Sequence, residues 1–273
     1  MTSPHLSTLL EGPIATKLPE VTLRMATAED AEFCLRLAEA VDARPGKARF
    51  EHPHYQSGLR AGLADGHRAF RTTVTDAPRQ ADPDRNDWNA AAGAAQFDLL
   101  AEIDGERAGF VRVGPPMGLI AQLLQKGYAG TQAAALIVNV SEIVTLAVDD
   151  EHTGTHAGSH TGPVTTADLE KVLLSHAVRL SRFTGVVLTF ADVPAARVAL
   201  MHQFGLRRVR PKKEKPGLNL WPVAGKHLIE KGHREVSEGP YVMPTKGNQL
   251  CARITPGEGR VAASLRRHNP ELG

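Results

Sequence analysis

The feature that most constrains the fold is the stretch of residues 141–159, in which an apolar run leads into a loop. The run over 142–148 is rich in β-branched residues, and a turn rich in Gly, Thr and His follows it. A helix-starting pattern comes soon afterwards at 165–168, where Thr165 precedes an acidic residue by three positions. A buried strand, a glycine-containing loop and a helix in this order are typical of a phosphate-binding unit, because loop amides and a helix N-terminus present partial positive charge.

Patterns on both sides of this unit predict further strands and helices. Alternation over 21–25 predicts a half-buried strand, and residues 27–30 again have the capping-box pattern before a helix. The runs 99–103 and 108–113 flank Asp104-Gly105, which predicts a hairpin with a tight turn. Weaker signals predict a helix over 55–63, a helix through 169–180, a strand over 185–190, a helix from Pro194 through Met201, strands over 206–209 and 249–254, and turns at 215–217 and 238–240. This order predicts an α/β fold with a mixed sheet.

Composition excludes several classes of protein. The chain has 273 residues, 42% of them hydrophobic, so a packed core is expected in one large domain or two small ones. A net charge of +2 does not favour bulk nucleic-acid binding. Cys34 and Cys251 have no metal-type or redox-type spacing, and no run of about 18 apolar residues or signal-peptide pattern is present. We therefore expect no membrane span and a reducing, cytoplasmic location.

The order and local patterns together resemble the GNAT superfamily of acyl-CoA-dependent N-acyltransferases over roughly residues 21–210. The segments that carry the resemblance are 23–31, 102–110, 143–159 and 200–206. They are similar to the family's first strand and helix start, its central hairpin, its fourth strand with the pyrophosphate loop, and the end of its last helix. The resemblance implies a GNAT-like mixed, splayed central sheet flanked by helices, with N- and C-terminal extensions. The implied division is an arm over 1–20, a domain over 21–255 with insertions at 64–94 and 210–247, and a polar tail over 256–273.

The resemblance also implies acetyl-CoA, or another acyl-CoA, as co-substrate. Leu146, Ala147 and Val148 would face the pantetheine arm. The following loop would hold the pyrophosphate and contains Thr153, Gly154, Thr155, His156, Ala157, Gly158 and Ser159. This loop departs from the family pattern, since Thr153 replaces the usual Arg or Gln and His156 replaces the first Gly.

Glu142 is the candidate general base. Its spacing to the loop resembles that of the base in the histone acetyltransferase branch of the family. An ammonium substrate must lose a proton before it attacks a thioester, and a partly desolvated carboxylate accepts that proton directly or through water. The alternative is a strand-end Glu in an ordinary salt bridge. Ser141 or Thr145 are candidates for orienting a water molecule.

The proton donor to the leaving thiolate is less obvious. Family members often use a Tyr in the last helix, and the matching residue is Met201, which cannot donate a proton. His202 and Tyr241 are the substitute candidates, with a surface His and a packed Tyr as the alternatives.

Two other patterns have simple alternatives. His152, His156 and His160 recur every four residues, which on a helix would suit a metal ion, but they fall in a Gly- and Thr-rich loop. We predict no metal site and leave open a phosphate-facing role for His156. The basic run over 207–215 suits a solvated turn, or contact with an anionic substrate, RNA or the CoA 3′-phosphate.

The function expected from the resemblance is direct transfer of an acyl group, most simply acetyl, from acyl-CoA to a primary amine with Glu142 as base. The acceptor would be an amine-bearing small molecule or protein. Two alternatives remain: a GNAT fold that takes its acyl group from aminoacyl-tRNA, and a non-catalytic GNAT-like domain that binds CoA or a partner. No membrane partner is expected, tRNA is the only nucleic acid considered, and a homodimer is left open.

Overall fold

The computed structural model describes residues 10, 12–42, 53–75, 92–117, 120, 137, 140–151, 164–181, 184, 186, 188–193, 197–204, 206–208 and 239–244. These residues form two compact units. The first comprises the described residues of Met1–Ala81, Gln96–Val113 and Val144–Leu180. The second comprises those of Asp82–Ala95, Gly114–Ile143 and Ser181–Gly273.

The strands of the first unit include a tight hairpin formed by β3 and β4. In chain order they are β1 (Ile14–Ala15), β2 (Val21–Met25), β3 (Phe97–Ile103), β4 (Glu106–Gly114) and the C-terminal part of β5 (Val140–Val148). They neighbour one another in that order, and β1–β2, β2–β3 and β3–β4 are antiparallel. The β3–β4 turn at Asp104 and Gly105 has φ angles of 50° and 86°, as a tight hairpin turn requires. The predicted hairpin is confirmed.

Four helices accompany these strands: α1 (Ala31–Asp42), α2 (Pro53–Ala64), α3 (Arg68–Thr75) and α4 (Thr166–Ser181). The capping box predicted at Thr27 is present, and at Thr165 the hydroxyl caps the first turn of α4. The N–H and Oγ1 of Thr27 donate to Asp30 Oδ2 at 2.8 and 3.0 Å, and the Asp168 N–H donates to Thr165 Oγ1 at 3.2 Å. The apolar faces of α1 and α2 pack on β3, β4 and β5 through a buried core that includes Leu35, Leu59, Leu63, Leu100, Phe110 and Ala147.

The second unit contains the N-terminal part of β5, β6 (Leu188–Val193), helix α5 (Val198–Gln203), β7 (Arg207–Arg208) and β8 (Gly239–Pro244). Its strands neighbour in the order β5-β6-β8-β7. β5 and β6 are parallel, whereas β8 is antiparallel to both β6 and β7. Antiparallel and parallel pairs with flanking helices confirm the predicted α/β class with mixed pairing.

Several predictions of local structure are corrected. The turn predicted at 238–240 is wrong, because Gly239 and Pro240 begin β8 and pair with Val193 and Asp192. Pro lacks an N–H group, but Pro240 pairs only with β6, since the described pairs of β7 are with Tyr241 and Val242, and an edge position tolerates Pro. β6 runs from Leu188 to Val193, later than the predicted 185–190. Helix α3 lies in the insertion predicted at 64–94, where no helix was expected. The strand predicted over 249–254 lies outside the described residues.

The remaining predictions on organisation have mixed outcomes. No helix among the described residues is long and apolar enough to cross a membrane. Residues 14 and 15, from the predicted N-terminal arm, pair with Leu23 and Thr22 of β2. The division into arm, domain and tail stays a prediction.

Candidate active site

The edge of β5 that faces away from β4 is the first feature of the candidate site. The backbone N–H of Asp149 donates to the Ala108 carbonyl on β4 at 2.8 Å. Because backbone N–H groups alternate between the two edges of a strand, the amides of Leu146 and Val148 point away from β4. The described register of β5 with β6 has three pairs and ends at Glu142. Beyond Glu142, β5 therefore carries outward amide donors on an edge where the register with β6 has ended.

The other edge of β5 lies very close to β4. A Cβ atom added at Gly109 would come within 2.9 Å of the Ala147 carbonyl oxygen and 3.3 Å of Val148 Cα. Position 109 is therefore restricted to glycine by the neighbouring backbone. Ala147 itself is fully buried in the core formed with α1 and α2. These contacts hold the segment that carries the outward amides.

Glu142 is a buried carboxylic acid residue on the same strand, with 4% of its surface exposed. Strand alternation places its side chain on the same face as Val144, Leu146 and Val148, opposite Ser141. The Ser141 hydroxyl donates to Thr189 Oγ1 on β6 at 3.5 Å. A carboxylic acid largely withdrawn from bulk water is chemically able to accept a proton from a bound amine.

Tyr55 of α2 contacts β5 from the opposite face. Its hydroxyl lies 2.6 Å from Thr145 Oγ1, and either group can be the donor. The guanidinium carbon of Arg112 on β4 lies 5.5 Å from the centroid of the Tyr55 ring, a cation–π distance. Thr145 is buried and Tyr55 is half-buried. The two hydroxyls therefore join α2 to β5 one residue before Leu146.

A buried ionic cluster supports Arg112. Its Nη1 lies 3.1 Å from Asp98 Oδ2, and Asp98 is fully buried on the adjacent strand β3. His67, which precedes α3, places Nε2 at 3.4 Å from the same oxygen. Burial lowers the pKa of His67 below its ordinary value, outweighing the opposing effect of Asp98. The lowered pKa favours the neutral form of His67, and Arg112 and Asp98 supply the opposite charges of the cluster.

The two ends of the loop after β5 are both held by side chains. Asp149 accepts from Arg36 Nη2 at 2.6 Å, and its other oxygen accepts from the Glu151 N–H at 3.3 Å. Asp150 accepts from the Thr166 hydroxyl at 3.1 Å, which ties the exit of β5 to the first residue of α4. The predicted strand and helix are therefore present, and residues 152–163 between them lie outside the described residues.

The structure describes only some of the predicted site residues. Glu142 lies on the part of β5 that belongs to the second unit, and Leu146, Ala147 and Val148 lie on the part that belongs to the first. The seven pyrophosphate-loop candidates, Thr153, Gly154, Thr155, His156, Ala157, Gly158 and Ser159, lie outside the described residues, as do His152 and His160. His202 lies on α5 and Tyr241 on β8, but their side chains are not described. Met201 is buried, with 3% of its surface exposed.

Some residues of this region were not predicted as site candidates. Their contacts join residues that are far apart in the sequence. The Asp98–Arg112 pair is separated by 14 residues and the Tyr55–Thr145 pair by 90 residues. His67 contacts Asp98 from a third segment of the chain, just before α3. The available signal was one charged residue inside the apolar run of each strand, with Asp98 next to Leu99 and Arg112 next to Val111. Among the described residues, no cluster of three or more His, Cys, Asp or Glu side chains could hold a metal ion.

Comparison with protein-family models and with curated proteins gives no match. Comparison with solved structures gives similarities to GNAT-family acetyltransferases. One is the GNAT-family acetyltransferase of Streptococcus pneumoniae, at 14% identity and a TM-score of 0.42, covering 82% of this chain and 99% of that one. Another is the Drosophila melanogaster polyamine N-acetyltransferase that forms N-acetylagmatine, at 13% identity and a TM-score of 0.43, covering 82% of this chain and 99% of that one. A third is the PaiA N-acetyltransferase of Thermoplasma acidophilum in complex with coenzyme A, at 12% identity and a TM-score of 0.36, covering 82% of this chain and 98% of that one.

Proposed function

We propose that this chain is a GNAT-type N-acyltransferase that moves an acyl group, most simply acetyl, from acyl-CoA directly to a primary amine. The observation that carries the proposal is the edge of β5, where the amides of Leu146 and Val148 point outward beyond the last residue paired with β6. An extended ligand that contains amide groups can bind such an edge as an added strand does. The pantetheine arm of CoA is a ligand of this kind.

The same amides would contribute to the chemistry of transfer. A thioester carbonyl develops negative charge when an amine attacks it, and preorganised backbone N–H donors stabilise that charge. Holding the thioester on the strand would also align it with the amine, which converts a bimolecular step into one within a complex. Because Gly109 and Ala147 hold β5 close to β4, little reorganisation of the strand is needed.

Glu142 is the proposed general base. It would take a proton from the acceptor ammonium, directly or through a water molecule, so that the neutral amine attacks the thioester. Its burial supports this role, since a carboxylate that is fully solvated is a weak base at neutral pH. His202 and Tyr241 stay the proposed donors to the leaving thiolate, because the buried Met201 carries no ionisable proton.

Direct transfer is proposed instead of a cysteine-linked intermediate. Cys34 is fully buried on α1, and burial raises the pKa of its thiol well above the ordinary value. A thiol of this kind is a poor nucleophile because little thiolate is present. The loop of residues 153–159 would complete the site by binding the pyrophosphate, and a cytoplasmic location is part of the proposal.

The test is a kinetic comparison of Glu142→Gln with wild type, using acetyl-CoA and three amines: putrescine, glycine and a lysine-containing peptide. We expect acetylation of at least one amine by the wild type. We expect Glu142→Gln to lower kcat by about 10²–10⁴-fold, the usual range for a general base, with little change in acetyl-CoA affinity. Glu39→Gln, at an exposed position on α1, is the matched control and should leave the rate unchanged.

The outcomes separate the alternatives. Acetyl-CoA binding without acetylation of any of the three amines would favour a binding module, and a lack of binding would favour an aminoacyl-tRNA donor or a different ligand. An unchanged rate in Glu142→Gln would remove Glu142 from the mechanism while leaving the acyltransferase assignment in place.

A further inference from the structure

The hydrogen bond between Tyr55 and Thr145 joins α2 to β5 at the residue that precedes Leu146. We propose that Tyr55 is a positioning residue for acyl transfer, which acts through Thr145 to hold the Leu146 amide in line with the thioester carbonyl. This inference rests on the proposed function, because it assigns the Leu146 amide to the acyl group. The 2.6 Å separation of the two hydroxyl oxygens lies within the range of a well-formed O–H···O hydrogen bond.

The orientation of the Tyr55 ring is fixed by buried charge. Arg112 lies over the ring at 5.5 Å, and Arg112 is held by two contacts of Nη1 to Asp98, at 3.1 and 3.3 Å. Asp98 and Arg112 are directly opposite one another in the β3–β4 register. Moving the phenol away from β5 would therefore cost Tyr55 its cation–π contact with an arginine that Asp98 holds in place.

The chain direction at β5 explains how a side-chain bond affects a backbone donor. Thr145 projects toward α2, whereas the N–H of the next residue, Leu146, lies in the plane of the strand and points to the edge away from β4. A small shift of Thr145 is thus passed directly to the Leu146 amide. Oxyanion donors act over a narrow distance of about 2.7–3.1 Å, and a misplacement of about 1 Å costs about 100-fold in rate.

Tyr55 is not assigned to proton transfer. Strand alternation puts Glu142 on the face of β5 opposite Thr145, so the phenol and the proposed base do not share a face. The two hydroxyls have one hydrogen each and use one in their mutual bond, which serves for anchoring whichever group donates. Loss of this bond should therefore reduce transition-state stabilisation more than acetyl-CoA binding.

The test uses single hydroxyl deletions at both ends of the bond. Tyr55→Phe and Thr145→Val each remove the bond with little change in shape. We expect each to lower kcat by about ten-fold, with the fastest amine of the three named above, while the Kd for acetyl-CoA changes less than two-fold. The double variant should be no slower than either single variant, because both remove the same contact.

Two further variants act as controls. Thr145→Ser keeps the hydroxyl and should retain most of the wild-type kcat. Ser57→Ala changes an exposed residue on α2, the helix that carries Tyr55, and should leave kcat unchanged. A purely structural role would lower kcat and acetyl-CoA affinity together with the melting temperature. Losses in kcat that add up in the double variant would show that the two hydroxyls act independently. Either result overturns the inference, as does an active Tyr55→Phe enzyme with wild-type kcat. A wild-type protein that does not bind acetyl-CoA overturns the proposed function and this inference with it.

Discussion

Asp30 is a fully buried carboxylate that two arginines and a threonine hold in its ionised form. Its oxygens accept from Arg24 at 2.6 and 2.9 Å, and its Oδ1 lies 2.8 Å from Arg107 Nε. Burial alone would raise the pKa of Asp30, but the hydrogen bonds from Arg24 and Thr27 outweigh it and lower the pKa to about 2. The first turn before α1 is therefore tied to β2 and β4 by charge-assisted hydrogen bonds.

This arrangement predicts a defined loss of stability in acid. The pKa of Asp30 is lower in the folded chain than its ordinary value of about 4, so its contribution is present above about pH 4. It should be lost as the pH falls from about 4 to about 2, and it amounts to about 2.5 kcal/mol at about 1.4 kcal/mol per pKa unit. Urea unfolding at pH 7 and pH 2.5 measures it in wild type and in Asp30→Asn.

We expect Asp30→Asn to be less stable than wild type at pH 7 and to lose less stability in acid. Glu29→Gln changes an exposed carboxylate in the same turn and is the control, which should follow the wild-type profile. The same acid loss in Asp30→Asn as in wild type would show that Asp30 does not produce it.

Between elements, the closest approach that bears on the site is that of β4 and β5 at Gly109. Gly109→Ala would place a Cβ atom 2.9 Å from the Ala147 carbonyl oxygen, which forces the strands apart. We expect a loss of about 1–3 kcal/mol in stability, as in other overpacked sites, measured by thermal or urea unfolding. Gly12→Ala is the matched control, because nothing lies within 4 Å of the added Cβ, and it should be nearly neutral. Equal stability of the two variants would contradict the close approach.

The β3–β4 hairpin also shows what sequence can and cannot predict about elements. Asp104-Gly105 predicted the turn because both residues accept a positive φ. Counting outward from the turn pairs Asp98 with Val111, yet the register shifts near Ala101 and Glu102 and pairs Asp98 with Arg112. A bulge of this kind has no clear local signature, so the buried ion pair that supports Tyr55 could not be predicted.

Contacts within a few residues were predictable for a physical reason. In the capping interactions at Thr27 and Thr165, donor and acceptor are three residues apart and the local backbone alone brings them together. β8 was missed because Gly239 and Pro240 favour a turn locally, whereas pairing with β6 decides their conformation. The Tyr55–Thr145 bond spans 90 residues and depends on the whole arrangement of α2 and β5.

At the scale of the whole molecule, β5 contributes residues to both compact units, with Glu142 in one and Leu146 in the other. Length and composition predicted the number of compact units only broadly, as one large domain or two small ones. The net charge of +2 is too small to attract an anionic cofactor at long range. Binding of acyl-CoA must then come from local donors, which in the proposal are the outward amides of β5 and the loop that follows it.

The most direct test of this account is a calorimetric titration of the wild-type protein with acetyl-CoA, with CoA and free acetate titrated in parallel. The account predicts saturable binding of acetyl-CoA and CoA with one site per chain, and no binding of acetate, because the pantetheine and phosphate groups supply the contacts. The absence of a binding isotherm for both acetyl-CoA and CoA would contradict the assignment of β5 as an acyl-CoA-binding strand.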